Sequence, residues 1–208
     1  MPVPPLSMEA RMKRFLLLPF LAAALAGPAL AQTQGGYFGA GALHASTDNA
    51  REFALAFGGT AADKTAQGMK VYGGYLWNQV GIEAGYYSLG TYDVRTGAAK
   101  SDEFKVSAFA VSGVLALPMG SAFSLNAKAG VAFTSVDYRC LQLCGGNFVD
   151  TGESNTAGLL GAGIAWRPAR NFTLRADFEY LGDVTHSVGL LEAMYPYRIF
   201  SLSAQLNF

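Results

Sequence analysis

Phe200-Ser201-Leu202-Ser203-Ala204-Gln205-Leu206-Asn207-Phe208 alternates apolar and polar residues without a break and finishes on an aromatic carboxyl-terminal residue. Side chains repeat every two residues along a strand, so Phe200, Leu202, Ala204, Leu206 and Phe208 share one face. Ser201, Ser203, Gln205 and Asn207 share the other. An apolar face of this kind suits lipid, but it equally suits the core of a soluble sheet. The opposite end of the chain separates the two readings.

Arg11, Lys13 and Arg14 precede an apolar run over residues 15–26, followed by Pro28 and then Ala29-Leu30-Ala31, a small-x-small site before Gln32. This is the layout of a secretory signal peptide. The run is 12 residues long and contains Pro19, whereas a spanning helix needs roughly 20 apolar residues. Residues 1–31 therefore read as a cleaved signal peptide and residues 32–208 as one domain. Met1, Met8 and Met12 are all available as starts.

Removing the leader takes away three of 15 basic residues and one of 15 acidic ones, leaving 12 and 14 and a formal charge of −2. That leaves no basic excess to bind nucleic acid. The composition is 51% hydrophobic and only 14% charged, with 25 glycines, yet no stretch beyond residue 31 is long enough for a membrane helix. A closed β-barrel is the other structure that satisfies its backbone inside lipid. The fold class expected is all-β, an eight-stranded antiparallel up-and-down transmembrane barrel.

Period-two segments between turn signals give strands near 34–45, 68–77, 80–89, 103–117, 123–136, 154–166, 172–181 and 195–208. Short connections fall at Asn78-Gln79, 118–122 and 167–171, and long ones at 46–67, 90–102, 137–153 and 182–194. They alternate strictly, as short periplasmic turns and long outer loops do.

Charged residues in mid-strand assign the faces, because a charge on the lipid face at the midplane costs about 2–4 kcal/mol. Lys70, Glu83, Lys128, Arg175, Asp177 and Glu179 should point into the lumen. Ile82, Ala84 and Tyr86, Leu125 through Phe133 at every second position, and Phe172, Leu174, Ala176, Phe178 and Tyr180 should face lipid. The first and fourth strands are too rich in Gly and Ala to assign. Trp77, Trp166, Phe172 and Phe208 are expected in a periplasmic aromatic girdle, and Tyr86, Tyr87, Tyr180 and Tyr195 in an outer one.

Three stretches then carry a family resemblance: Gly74-Tyr75-Leu76-Trp77-Asn78-Gln79-Val80-Gly81-Ile82-Glu83-Ala84-Gly85-Tyr86, the run 123–131, and Gly161 to Pro168 continuing into Leu174-Arg175-Ala176-Asp177-Phe178-Glu179-Tyr180. The chain resembles the OmpA-like and opacity-type outer-membrane barrels over essentially its whole mature length. The resemblance implies a lumen network of two basic and two acidic groups, matched here by Glu83, Lys128 and Arg175. Where that family has a carboxylate in the sixth strand, this sequence has Ala165. Lys128 should then recruit Asp177, Glu179 or water, and a gating swap of partners is weakened. No peptidoglycan-binding domain follows the barrel segment, so a cell-wall tether is not expected. The family also implies that Phe208 serves as the signal for the outer-membrane assembly machinery.

Eight staves leave an interior that side chains can fill, which disfavours a wide pore. Cys140 and Cys144, in one expected outer loop, read as a local disulfide in an oxidising compartment. A metal site would need more ligands than this pair, since His44 and His186 are distant in sequence. His186, Ser187 and Glu192 supply the residue types of a nucleophile–base pair but lack a catalytic spacing, so catalysis and cofactors are not expected.

The first outer loop carries the apolar patch Phe53-Ala54-Leu55-Ala56-Phe57, either a strand extension or a contact surface. The reading is a bacterial outer-membrane barrel with a structural or surface-interacting, adhesin-like role. A narrow channel or small-molecule transporter comes second, and a lipid A-modifying enzyme third. The expected partners are outer-membrane lipid and lipopolysaccharide, the assembly machinery, and a host or surface ligand held by the loops.

Overall fold

A computed structural model describes residues 34–48, 55, 60–96, 99–140, 148–188 and 191–208. These form β1 (Gly35–Ser46), β2 (Ala61–Ala62), β3 (Thr65–Trp77), β4 (Val80–Thr96), β5 (Ala99–Met119), β6 (Phe123–Cys140), β7 (Phe148–Ala169), β8 (Phe172–Val188) and β9 (Leu191–Asn207). The hydrogen-bonded order is β4-β3-β1-β9-β8-β7-β6-β5, and β5 pairs back with β4. Eight antiparallel staves thus close on themselves, with the short β2 added to the outer end of β4 through Ala61↔Arg95 and Ala62↔Val94. Closure removes the exposed sheet edge that lipid would not tolerate. At the seam, β1 and β9 pair from Tyr37↔Asn207 to Ser46↔Arg198, so the terminal amphipathic segment is the last stave.

The periplasmic turns are tight. Asn78 takes the left-handed conformation at φ 68° between β3 and β4, a region where Asn is tolerated better than most residues. Gly120 does the same at φ 80° between β5 and β6.

The staves run further outward than expected, which corrects three of the long loops, including 137–153, where β6 and β7 pair from Asp137↔Asp150 to Arg139↔Phe148. Residues 90–96 and 99–102 continue as strand paired as far as Thr96↔Ala99, and 182–188 and 191–194 as strand paired as far as Val188↔Leu191. The physical reason is that the pattern inverts along each stave. Within the membrane band the outward positions of β5 are apolar, with Phe109 and Val111 exposed, while beyond it they are Lys105 and Ser107. Inward positions do the opposite, passing from Ser112 to Val106 and Phe104. Polar residues such as Asp93 and Asp102 look like loop when only an apolar-out pattern is sought.

Adjacent apolar residues mark where the inversion falls. Tyr86-Tyr87, Leu159-Leu160, Tyr180-Leu181 and Ile199-Phe200 each place one member outward and the other in the interior. From Phe123 to Phe133 of β6, ten steps at about 3.3 Å and a tilt near 40° give an apolar band about 25 Å tall. Register shifts cluster just above it, at Ser88/Gly90, Ser135/Asp137 and Leu181/Val184. The shift in β4 changes the inward parity from Leu89 to Tyr92 and Val94, as an extra residue in a bulge must.

Candidate functional site

In the membrane band the interior-facing positions converge on charge. Arg175 Nη1 lies 2.7 Å from Glu83 Oε2, Glu83 Oε1 3.1 Å from Lys128 Nζ, and Lys128 pairs with Glu179. Glu179 lies 3.2 Å from Lys70 Nζ, Lys70 2.8 Å from Asp177 Oδ2, and Asp177 Oδ1 3.4 Å from Arg175 Nη2. Three cations and three carboxylates thus alternate around a closed ring, each touching two ions of opposite sign. All six are almost wholly buried. Two opposite partners for every ion is the arrangement that best offsets the desolvation cost of burying charge.

Aromatic hydroxyls complete the shell. Tyr37 donates to Glu83 Oε2 at 3.0 Å, Tyr87 donates to Glu179 Oε1 at 2.8 Å, and Lys128 donates to the Tyr87 oxygen at 3.2 Å. Arg175 also donates to Gln205 Oε1 at 3.3 Å and lies 4.8 Å from the Tyr72 ring centroid, within cation–π range. Glycines on neighbouring staves make room for these rings. A Cβ at Gly39 would collide with the Tyr72 ring, and one at Gly74 would lie 2.5 Å from the Tyr37 hydroxyl.

Lys70, Glu83, Lys128, Arg175, Asp177 and Glu179 are therefore brought together. Ala165 is buried beside them on β7, paired in register with Arg175. The carboxylate that this position lacks is made up by β8, which presents Asp177 and Glu179 two residues apart, and the third cation, Lys70, balances the added negative charge. Sequence reasoning missed the roles of Tyr37, Gln205, and Tyr72, whose hydroxyl lies 3.0 Å from Ser203 Oγ, although the alternation of β9 already placed Ser203 and Gln205 inward. The outer girdle needs correction: Tyr87 and Tyr195 are buried inside the barrel, while Tyr86 and Tyr180 are exposed on its outer face. Trp77, Trp166 and Phe208 are exposed at the periplasmic end, and Trp166 stacks on Phe123 at 6.5 Å between centroids.

The lumen is not polar throughout. Above the ring, Leu89, Phe104, Val106, Val184, Tyr197 and Ile199 are buried in one cluster that also includes Leu43 and Tyr92. Below it, Tyr37, Tyr72, Leu76, Val114 and Ala116 form a smaller one.

The remaining expectations fare differently. Cys144 and the patch residues Phe53, Ala54, Ala56 and Phe57 lie outside the described residues, and Cys140 is the last residue of β6. His186 and Ser187 belong to β8 and Glu192 to β9, with Ser187 in register with Glu192 and His186 with Ala193. They are strand residues, not a loop cluster. Among the described residues no group of three His, Cys, Asp or Glu is placed to hold a metal. Phe208 is the terminal residue at the β1 seam, its N–H donating to Gly36 O at 2.9 Å.

Solved structures share this architecture. The chain is similar to Neisserial surface protein A, NspA (17% identity, 84% of this chain and 97% of that chain covered, TM-score 0.60). It is also similar to Ail, the attachment invasion locus protein of Yersinia pestis (16%, 85% and 100%, TM-score 0.51), and to OprG from Pseudomonas aeruginosa (10%, 85% and 97%, TM-score 0.54). At these identities the likeness is one of fold. No curated protein matches the sequence. The model of the OmpA-like transmembrane domain matches residues 31–204, so the chain belongs to the OmpA-like transmembrane domain family and is a β-barrel of the bacterial outer membrane.

Proposed function

We propose that this protein is a closed outer-membrane barrel that presents its outer loops for surface interaction. The observation that carries the reading is the inverted upper half of the barrel, which is polar outside and packed with apolar side chains inside. Such a stalk lifts the connections after Ser46, Thr96, Cys140 and Val188 away from the bilayer on a rigid support, the usual setting for recognition. The neutral ion ring beneath the apolar cluster stabilises the barrel rather than guiding a permeant ion. A transporter would need a path past both layers, so that reading ranks second. The reading assigns no catalysis and no cofactor, and residues 1–31 act as a cleaved signal peptide.

Ail has been solved in complex with the heparin analogue sucrose octasulfate. A rim ligand of some kind is therefore reasonable for this chain, but two of its rim arginines are already paired, Arg198 with Asp48 and Arg95 with Asp63. The loops themselves are thus the expected recognition elements. Purified barrel in planar bilayers should give no stable conductance, while cells displaying it should adhere to a surface or host matrix and lose adhesion when residues 49–59 or 141–147 are deleted. Steady conductance with loop-independent adhesion would favour the transporter instead.

A further inference from the structure

Above the membrane band the staves do not all stay together. β7 and β8 are in register only as far out as Leu159↔Leu181, and β1 and β9 only as far as Ser46↔Arg198. Past those pairs β8 and β9 continue as a hairpin of their own, paired without a break from Val184↔Tyr195 to Val188↔Leu191. Pro196 sets the break, because it has no N–H for the ladder. Gly182 and Asp183 of β8 stand opposite this single residue, and the extra residue of such a bulge bends its strand. At Gly182 the staves still touch, since a Cβ there would lie 3.4 Å from Gly158 O. They part beyond it.

Thr185 to Val188 therefore has β9 on one side and, among the described residues, no strand on the other. A strand edge presents a row of N–H and C=O groups that templates a further strand, and a two-stranded hairpin alone in water is marginally stable. The opposite edge of the hairpin is interrupted by Pro196, whereas residues 182–188 contain no proline. Charge then selects among the strands that could dock. Residues 148–158 of β7 and 182–197 of the hairpin carry Asp150, Glu153, Asp183 and Glu192 and no Lys or Arg. A second copy would bring the same acidic edge against this one, and like charges facing each other across a strand pair are destabilising. An extended segment bearing lysine or arginine is the complementary occupant.

We propose that the β8 edge facing β7, from Thr185 to Val188, binds an extended basic segment of a partner polypeptide as an added strand. Main-chain hydrogen bonds supply the docking, and cationic side chains at alternate positions the selectivity. This rests on the surface-interaction reading and names one edge on which a partner is held.

The test measures backbone amide hydrogen exchange by NMR on the whole barrel in detergent micelles, with a blocked heptapeptide of alternating lysine and valine as probe. Saturating peptide should slow the freely exchanging amides among Thr185 to Val188 by at least ~tenfold and leave those of β3 unchanged. A fully N-methylated peptide of the same sequence keeps the charge but cannot donate to a ladder, and should protect nothing. Asp183→Asn with Glu192→Gln should weaken the unmethylated peptide roughly three- to tenfold, with heat-modifiable migration on gels confirming the fold. No protection of β8, equal protection by the methylated peptide, or protection of Phe148 to Ser154 in its place overturns the proposal. Protection that rises with barrel concentration in the absence of peptide gives the edge to a second copy and overturns it as well. Loop-dependent adhesion of cells with no amide protection removes this site and leaves the surface reading standing, whereas steady conductance with loop-independent adhesion removes that reading and the proposal with it.

Discussion

Lys128 on β6 and Glu179 on β8 pair across Gly161, the one residue of β7 that lies in register with both. A Cβ at Gly161 would stand 3.0 Å from Lys128 Cγ and 3.1 Å from Glu179 Cγ. The absent side chain is what lets two staves that are not neighbours join the same ring. Gly161→Val puts branched bulk between the stems of the two ions. It should destabilise the barrel by about 1–3 kcal/mol, the usual cost of overpacking, as measured by urea unfolding in lipid vesicles. An unchanged midpoint would mean that the pair does not depend on this gap.

The ring closes through alternating charge, so energetic coupling should follow its order. Glu83 and Arg175 are neighbours, whereas Glu83 and Lys70 stand opposite each other with neither in contact. Glu83→Gln alone leaves Lys128 and Arg175 one partner short and should cost about 3 kcal/mol. A double-mutant cycle of Glu83→Gln with Arg175→Met should give at least ~1 kcal/mol of coupling, and the cycle with Lys70→Met clearly less. Equal couplings would argue for a diffuse charge cloud in place of a ring.

The inversion of pattern along the staves can be read by chemistry. Single cysteines at Lys105 and Ser107 on β5 should react with a membrane-impermeant maleimide on intact cells. Cysteines at Phe109 and Val111 should not, because these positions face lipid. At Val106, between the two reactive positions, the side chain is fully buried and should be silent as well. Labelling at Phe109 or Val111 would move the outer membrane boundary inward and undo the stalk.

How much of this was open to reading follows from the same inversion. Where the outward face meets lipid, a single mid-strand charge determines parity, and Glu83, Lys128 and Arg175 could be pointed inward from energetic cost alone. The upper staves offered no such lever. Water outside and an apolar core inside reverse the meaning of every residue, and the register shifts at Ser88/Gly90 and Leu181/Val184 reset the count as well. The doublets Ile199-Phe200 and Tyr180-Leu181 were the available signal, since two adjacent large apolar residues cannot both belong to a simple apolar-out pattern. Tyr87 was assigned to the girdle for want of that step. Closure of the ring was illegible for another reason: it depends on which staves become neighbours across the lumen, and local periodicity carries no such information.

The carboxyl-terminal residue brings insertion and closure together. Phe208 is the most exposed of the large apolar residues at the periplasmic end, at 81%, yet its N–H bonds Gly36 and its ring lies against Gly36, where a Cβ would come within 2.6 Å of it. We expect the aromatic side chain to be read by the assembly machinery before insertion and to pack on the β1 seam after it. Deleting Phe208 removes both contributions, whereas Phe208→Ala keeps the backbone hydrogen bond and removes only the ring. If recognition of the ring dominates, both variants should show the same fall in the heat-modifiable fraction in outer membranes, and both should refold normally from urea into detergent micelles. If closure dominates, the deletion alone should refold poorly in micelles. Wild-type levels of membrane insertion for both variants would remove Phe208 from either role.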